Sequence, residues 1–249
     1  MVNIKSEQEI RKIKGACVVV VEVLERLRKM VAPGLRIKEL EREAEHMAQK
    51  KGGIPAFKGY HGYPSALCVS VNDVIIHGIP SMRKLNAGDL VGLDFGILLN
   101  GYFGDAAITV PVGKISPDAQ RLLRITEHAL YEGIAKAMPG NRIGDISHAI
   151  QTYVERNGFS VIREFTGHGI GKKLHEEPSI PNYGRQDTGL LIEEGMTFAL
   201  EPMVSSGSHE IEVLSDGWSA VTRDGSLSAH FEHTIVVRDR EAEILTRIS

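Results

Sequence analysis

A chain of 249 residues is long enough to bury a substantial core, and 42% apolar with 24% charged residues is ordinary for a soluble globular protein. With 29 basic against 32 acidic residues, and a formal net charge of −3, no basic block marks a nucleic-acid binder, so no DNA partner is expected. No run approaches the roughly 18 apolar residues of a membrane span.

The segment Met1 to Lys14 is dotted with charge and lacks the apolar stretch of a signal peptide. The only cysteines, Cys17 and Cys68, sit in apolar runs and read as buried thiols rather than a disulfide framework. A cytoplasmic protein is expected.

Ser6 followed by Glu9 is a capping box, in which each side chain satisfies a free backbone N–H at a helix start. Apolar residues then recur at Ile10, Ile13, Cys17, Val20, Leu24, Leu27 and Val31, a long amphipathic helix stopped by Pro33-Gly34. A second helix carries Ile37, Leu40, Ala44 and Met47 inward and ends at Gly52-Gly53. Strands are expected over Ala66 to Val71, Leu90 to Leu99 and Tyr102 to Val110, the last two flanking the hairpin signal Asn100-Gly101. Ser116-Pro117 supplies an N-cap and a first-turn proline for a third helix ending near Met138. A fourth runs from about Ile143 to Asn157. The rest is strand-rich: Thr197 to Ser205, Glu210 to Leu214, Ser219 to Thr222 and His230 to Val237.

The order helix-helix-strands occurs twice. Pro33-Gly34-x-Arg36-Ile37 matches Pro139-Gly140-x-Arg142-Ile143, 106 residues on, and the same offset carries Gly52 onto Gly158. Two similar halves about a pseudo-two-fold axis follow, with the cleft between them a natural ligand site.

Four acids and one histidine stand in apolar or Gly-rich settings where solvated charge is out of place. Asp94 lies in Val-Gly-Leu-Asp-Phe-Gly and Asp105 in Gly-Tyr-Phe-Gly-Asp-Ala-Ala, on strands joined by the hairpin. Glu201 lies in Phe-Ala-Leu-Glu-Pro-Met, Glu232 in His-Phe-Glu-His-Thr-Ile, and His168 in Thr-Gly-His-Gly-Ile-Gly. Burying an ionised carboxylate without a partner costs several kcal/mol, and these stretches hold too few Lys or Arg to neutralise four. Two divalent cations match the charge of four carboxylates and a neutral imidazole.

The ordered series Asp94, Asp105, Thr166-Gly-His168-Gly-Ile-Gly, His175-Glu-Glu-Pro178, Glu201-Pro202 and Glu232-His233-Thr234 resembles the motifs of the type I methionine aminopeptidases. The resemblance runs from about residue 5 to residue 247. It implies the α/β (α+β) pita-bread fold: duplicated helix-helix-strand halves (about 5–115 and 116–247) forming one catalytic domain over 1–249, an antiparallel sheet covered by helices. It also implies removal of the initiator methionine from nascent chains, preferentially before a small second residue.

By the same resemblance, Asp94 chelates one metal, His168 and Glu201 bind the other, and Asp105 and Glu232 bridge the pair. Oxygen-rich ligation with one imidazole suits Co, Mn, Fe(II) or Zn. His77 matches the family residue that contacts the substrate backbone, and His175 the one that hydrogen-bonds the scissile carbonyl. Glu201 is the candidate proton shuttle. Phe57, Tyr60, Tyr63, Cys68 and Trp218 match the lining of the methionine pocket, where aromatic edges suit a thioether. The remaining histidines, such as His46 and His128 on helices, read as surface or packing residues.

The sequence departs from that pattern at Gly96, where many relatives carry a hydroxyl that helps hold the substrate amine, and at Gly92, which replaces a common Asn. Neither is a ligand, so altered affinity rather than lost activity is expected. A monomer is expected, and a transient ribosome contact would accompany the activity, though no docking motif is visible. Two rivals share the fold: an X-Pro aminopeptidase or dipeptidase, which usually carries a further N-terminal domain, and a non-catalytic RNA- or protein-binding module, which has lost metal ligands.

Overall fold

The computed structural model describes residues 2–247. Four helices, α1 (Glu7–Met30), α2 (Ile37–Lys50), α3 (Pro117–Ile134) and α4 (Ile143–Arg156), pack in the pairs α1/α2 and α3/α4 against a curled sheet of nine strands. In sheet order the strands are Ile54–Pro55, Leu90–Leu99, Tyr102–Pro111, Glu232–Val237, Thr197–Leu200, Thr166–Gly169 and Glu176–Pro181. Cys68–Val71 pairs with Leu90–Leu99, and Ala242–Ile244 with Glu232–Val237. Every pairing is antiparallel. This is the pita-bread architecture expected from the motifs.

The helix starts form as the caps dictate. Ser6 N–H donates to Glu9 (3.0 Å) while Glu9 N–H donates back to Ser6 Oγ, and Ser116 Oγ accepts from Ala119 N–H (3.1 Å) ahead of Pro117. The backbone bond from Ser6 is the largest of the effects that pull the Glu9 carboxyl down to about 2. α1 lies close on the sheet because residue 104 has no side chain: a Cβ on Gly104 would stand 2.7 Å from the backbone nitrogen of Cys17. At the hairpin tip Asn100 (φ 50°) and Gly101 (φ 79°) both take left-handed backbone, the requirement of the tight turn their dipeptide signals.

The repeat offset holds in three dimensions. α2 and α4 begin and end 106 residues apart, and Gly34 and Gly140 (φ 89° and 91°) turn into them alike. The halves meet in a smaller sheet, where Val74–Ile76 pairs with Ala220–Thr222, and within the large sheet, where Glu232–Val237 pairs with Tyr102–Pro111 through only Glu232↔Ala107 and His233↔Ala106. On either side of that seam a threonine hydroxyl stitches the backbones. Thr234 Oγ1 donates to Asp105 O (2.7 Å) and accepts from Asp105 N–H, and Thr109 Oγ1 donates to His230 O (2.7 Å) and accepts from His230 N–H. Each bond set is the counterpart of the other.

Four expectations need correction. Thr197 to Ser205 is not continuous: Glu201-Pro202 interrupts it, because proline has no N–H for the ladder, and Met203–Ser205 pairs instead in a separate three-stranded sheet. His230 to Val237 likewise divides at Phe231, its first part joining Met203–Ser205. The strand beginning at Ala66 starts at Cys68, since Ala66 N–H is taken by the carboxylate of Glu41. α3 ends at Ile134 rather than near Met138. Thr166–Gly169, which carries His168, is a strand within the large sheet, as is Glu176–Pro181.

Candidate active site

Strand periodicity aims the acids. Asp94 sits opposite Ala107, which faces Glu232 across the seam, and Asp105 sits opposite Gly96, two residues beyond Asp94. With side chains alternating along each strand, Asp94, Asp105 and Glu232 project from one face of the sheet, while Leu93, Phe95 and Ala106 on the other face join the core with α1. His168 opposes Ala199 on the neighbouring strand, and Glu201 leaves that strand where the proline breaks it.

The five ligand candidates meet. Asp105, His168 and Glu232 each offer an atom within 4.8 Å of the others, and Glu201 Oε1 stands 3.5 Å from His168 Nε2. Asp94, Asp105, His168, Glu201 and Glu232 are each at most 9% exposed. Among the described residues none of the four acids has a Lys or Arg within ion-pair distance. Asp94 Oδ1, Asp105 Oδ1 and Glu232 Oε1 are buried with no hydrogen-bond donor.

Burial pushes the Asp94 carboxyl up to about 7. Burial first, and then repulsion among the acids, lifts Asp105, Glu201 and Glu232 well above the carboxylate range. Four mutually repelling acids, three of them with an orphaned oxygen, beside neutral imidazoles form a donor set for divalent cations.

The histidines around them are held neutral. Burial lowers His168 to about 3 and His77 to about 4, each helped by the neighbouring His175, which burial also lowers. His77 is thrust into the cavity from left-handed backbone (φ 60°). The next residue locks that bend. Gly78 has no room for a Cβ against the Val69 carbonyl, and its own carbonyl accepts from Val69 N–H (2.9 Å) and Tyr63 Oη (3.0 Å).

All the sequence-named side chains line one cavity of about 160 Å³: Phe57, Tyr60, Tyr63, Cys68, His77, His175 and Trp218 together with the five ligand candidates. His61, Ile76 and Leu174 complete its wall. Trp218 stands edge-on to Tyr63 at 5.2 Å, and Asp216 accepts from the backbone N–H of both Trp218 and Ser219 to fix the turn that presents it. Cys68 faces Asp94 across a strand pair, its thiol pushed well up by burial. The small cavity opens into a broad cleft of about 850 Å³, with Ile76, His77, His168, His175 and Glu201 common to both.

The two glycine departures differ. A Cβ on Gly92 would make ordinary contacts, 3.4 Å or more, with Ser70 and Thr109. One on Gly96 would stand 2.9 Å from the Phe57 ring and 3.1 Å from Asp105 Oδ1, so Phe57 fills the space a residue-96 side chain would take.

His230, expected with the remaining histidines to be a surface or packing residue, stands instead beside the ligand candidates. It is buried, its Nε2 has no partner, and that nitrogen stands 3.8 Å from Glu201 Oε2. The seam makes it the counterpart of Asp105, each bonded through its backbone to a threonine hydroxyl. Its position two residues before Glu232 was the available signal, hidden by the break at Phe231.

The model of metallopeptidase family M24 matches residues 11–239. Methionine aminopeptidase 1 of Bacillus subtilis is 48% identical over 248 residues, covering 100% of each chain. The crystal structure of a methionine aminopeptidase from Thermotoga maritima superposes with a TM-score of 0.97 at 46% identity, covering 99% of this chain and all of that one. The prolidase of Pyrococcus furiosus shares the fold at TM-score 0.81 and 22% identity, and this chain spans 66% of its length. The chain belongs to metallopeptidase family M24, within the methionine aminopeptidases.

Proposed function

We propose that this chain, acting as one catalytic unit of two halves (about 5–115 and 116–247), removes the N-terminal methionine from peptides and nascent proteins. The observation that carries the reading is the small, aromatic-lined cavity of about 160 Å³ that adjoins a broad cleft of about 850 Å³ and shares His77, His168, His175 and Glu201 with it. A pocket of that size seats one side chain and the cleft takes the rest of the peptide, which is the shape an exopeptidase requires.

Asp94 would hold one divalent cation, His168 and Glu201 a second, and Asp105 and Glu232 would bridge them, with Co, Mn, Fe(II) or Zn suited to the donors. Such cations, when bound, polarise the scissile carbonyl and lower the pKa of water. Phe57, Tyr60, Tyr63, Cys68 and Trp218 take the methionine side chain, leaving its thioether among aromatic edges. His77, neutral and fixed by its strained backbone, contacts the substrate main chain. His175, at the junction of pocket and cleft, donates to the scissile carbonyl as negative charge develops there. Glu201 takes the proton of the attacking water and delivers it to the leaving amine.

Hydrolysis of Met-Ala-Ser and of Ala-Pro-Ala, after chelation and re-addition of single metals, tests this. Met-Ala-Ser is expected to be cleaved once Mn, Fe(II) or Co is restored, with kcat/KM on the order of 100-fold above that for Ala-Pro-Ala. Cleavage of Ala-Pro-Ala alone would assign the chain to the X-Pro enzymes, and no cleavage with any metal would make it a binding module.

A further inference from the structure

Tyr60 was expected to serve only as pocket wall, yet its hydroxyl lies 2.8 Å from His175 Nδ1, its sole hydrogen-bond partner among the described residues. The two residues come from different halves and meet across the mouth of the cavity. Other contacts flank His175. Its ring stands edge-on to that of His168, centroids 4.2 Å apart. Its backbone neighbour Glu176 forms a buried ion pair with Lys5 (2.7 Å, side chains 8% and 5% exposed) and accepts from Lys173 N–H (3.1 Å). His175 is itself exposed, and the bond to Tyr60 is the one hydrogen bond made to a nitrogen of its ring among the described residues.

We propose that Tyr60 is a positioning residue whose hydroxyl donates to His175 Nδ1 and so keeps the proton on Nε2, aimed at the scissile carbonyl. The inference rests on the role given to His175 above. A phenol is the stronger donor of the pair and a neutral imidazole nitrogen the stronger acceptor, which sets the direction of the bond. Burial raises the Tyr60 pKa further, so the donor proton stays in place at neutral pH. A histidine tautomer is fixed by the bond its other nitrogen makes. In the opposite tautomer Nε2 would present a lone pair to the carbonyl oxygen and repel it.

Tyr60→Phe keeps the ring in the pocket and removes only the hydroxyl. Its kcat on Met-Ala-Ser is expected to fall about tenfold, with KM within about twofold of wild type. A role as pocket wall alone would leave both unchanged. Nitrogen-15 spectra of the intact protein supply a readout independent of turnover, with the His175 signals identified by their absence in His175→Ala. The wild type should show a protonated Nε2 and a hydrogen-bonded, unprotonated Nδ1, and in Tyr60→Phe the Nδ1 signal should move to its unbonded position.

A protonated Nδ1 in the wild type, or wild-type kcat in Tyr60→Phe while His175→Ala loses turnover, would overturn the proposal alone. Full turnover in His175→Ala would overturn the underlying role of His175 and the proposal with it.

Discussion

Replacing Glu201 with Gln is expected to lower kcat on Met-Ala-Ser by about three orders of magnitude, with KM changed only a few-fold. The side chain is asked to do two things through two oxygens. Oε1 faces His168 at 3.5 Å, and Oε2 faces His230 at 3.8 Å. Asn182 Nδ2 donates to the Glu201 carbonyl (3.0 Å), so the backbone that presents the carboxylate is fixed. Gln keeps the shape and loses the base, and positioned proton transfer contributes on the order of 10²–10⁴ in rate. KM is spared because the methionine pocket and His77 are untouched. Metal content measured on the same sample separates loss of the base from loss of a ligand. A variant with bound metal and turnover within tenfold of wild type would remove Glu201 from the proton path.

The second large effect is on stability and needs no substrate. In the metal-stripped protein the buried carboxyls titrate above their ordinary range, Asp94 at about 7 and Asp105, Glu201 and Glu232 likewise well above their ordinary values, first because they are buried. The folded state then holds protons that the unfolded chain releases near pH 4. The stability tied to these groups is complete below that pH and is lost as pH rises through the folded values. His168 and His230, lowered to about 3, act oppositely, but only below their ordinary value of 6.5. Between about pH 6.5 and 8 the carboxyls therefore dominate.

The melting temperature of stripped protein should fall across that interval, and saturating metal should abolish the slope. Asp94→Asn removes one of the repelling acids and should raise the metal-free melting temperature at pH 8 by about 5–10 °C, equivalent to on the order of 2–4 kcal/mol. The same variant should lose activity and most of the rise that metal gives the wild type. A metal-free wild type as stable at pH 8 as at pH 6.5 would contradict the unpaired-acid account.

The course of the chain shows which features a sequence exposes. α2 ends where Gly52 turns out of it, and α4, 106 residues on, ends the same way at Gly158, because a glycine after a helix and a Pro-Gly before one are local chemistry. The hairpin at Asn100-Gly101 fixes a ten-residue register, and that register alone places Asp94 and Asp105 on a common face. The conjunction of acids in apolar strands was legible for the same reason: each is improbable alone in such a setting.

What stayed hidden was non-local. The strand that holds His168 pairs with segments from 176–181 and 197–200, and no periodicity in Thr-Gly-His-Gly announces it. His230 became visible only once the seam between the halves was known. The Tyr60–His175 bond spans 115 residues, and the filling of the Gly96 site by Phe57 depends on how a loop folds back over a strand. Contacts of this kind come from packing the two halves together.

Anomalous diffraction from crystals grown with Mn locates the cations without reference to activity. Two peaks are expected inside the small cavity, one against Asp94 and one against His168 and Glu201, with Asp105 and Glu232 between them. Crystals diffracting well under saturating Mn with no peak among these carboxylates would contradict that placement.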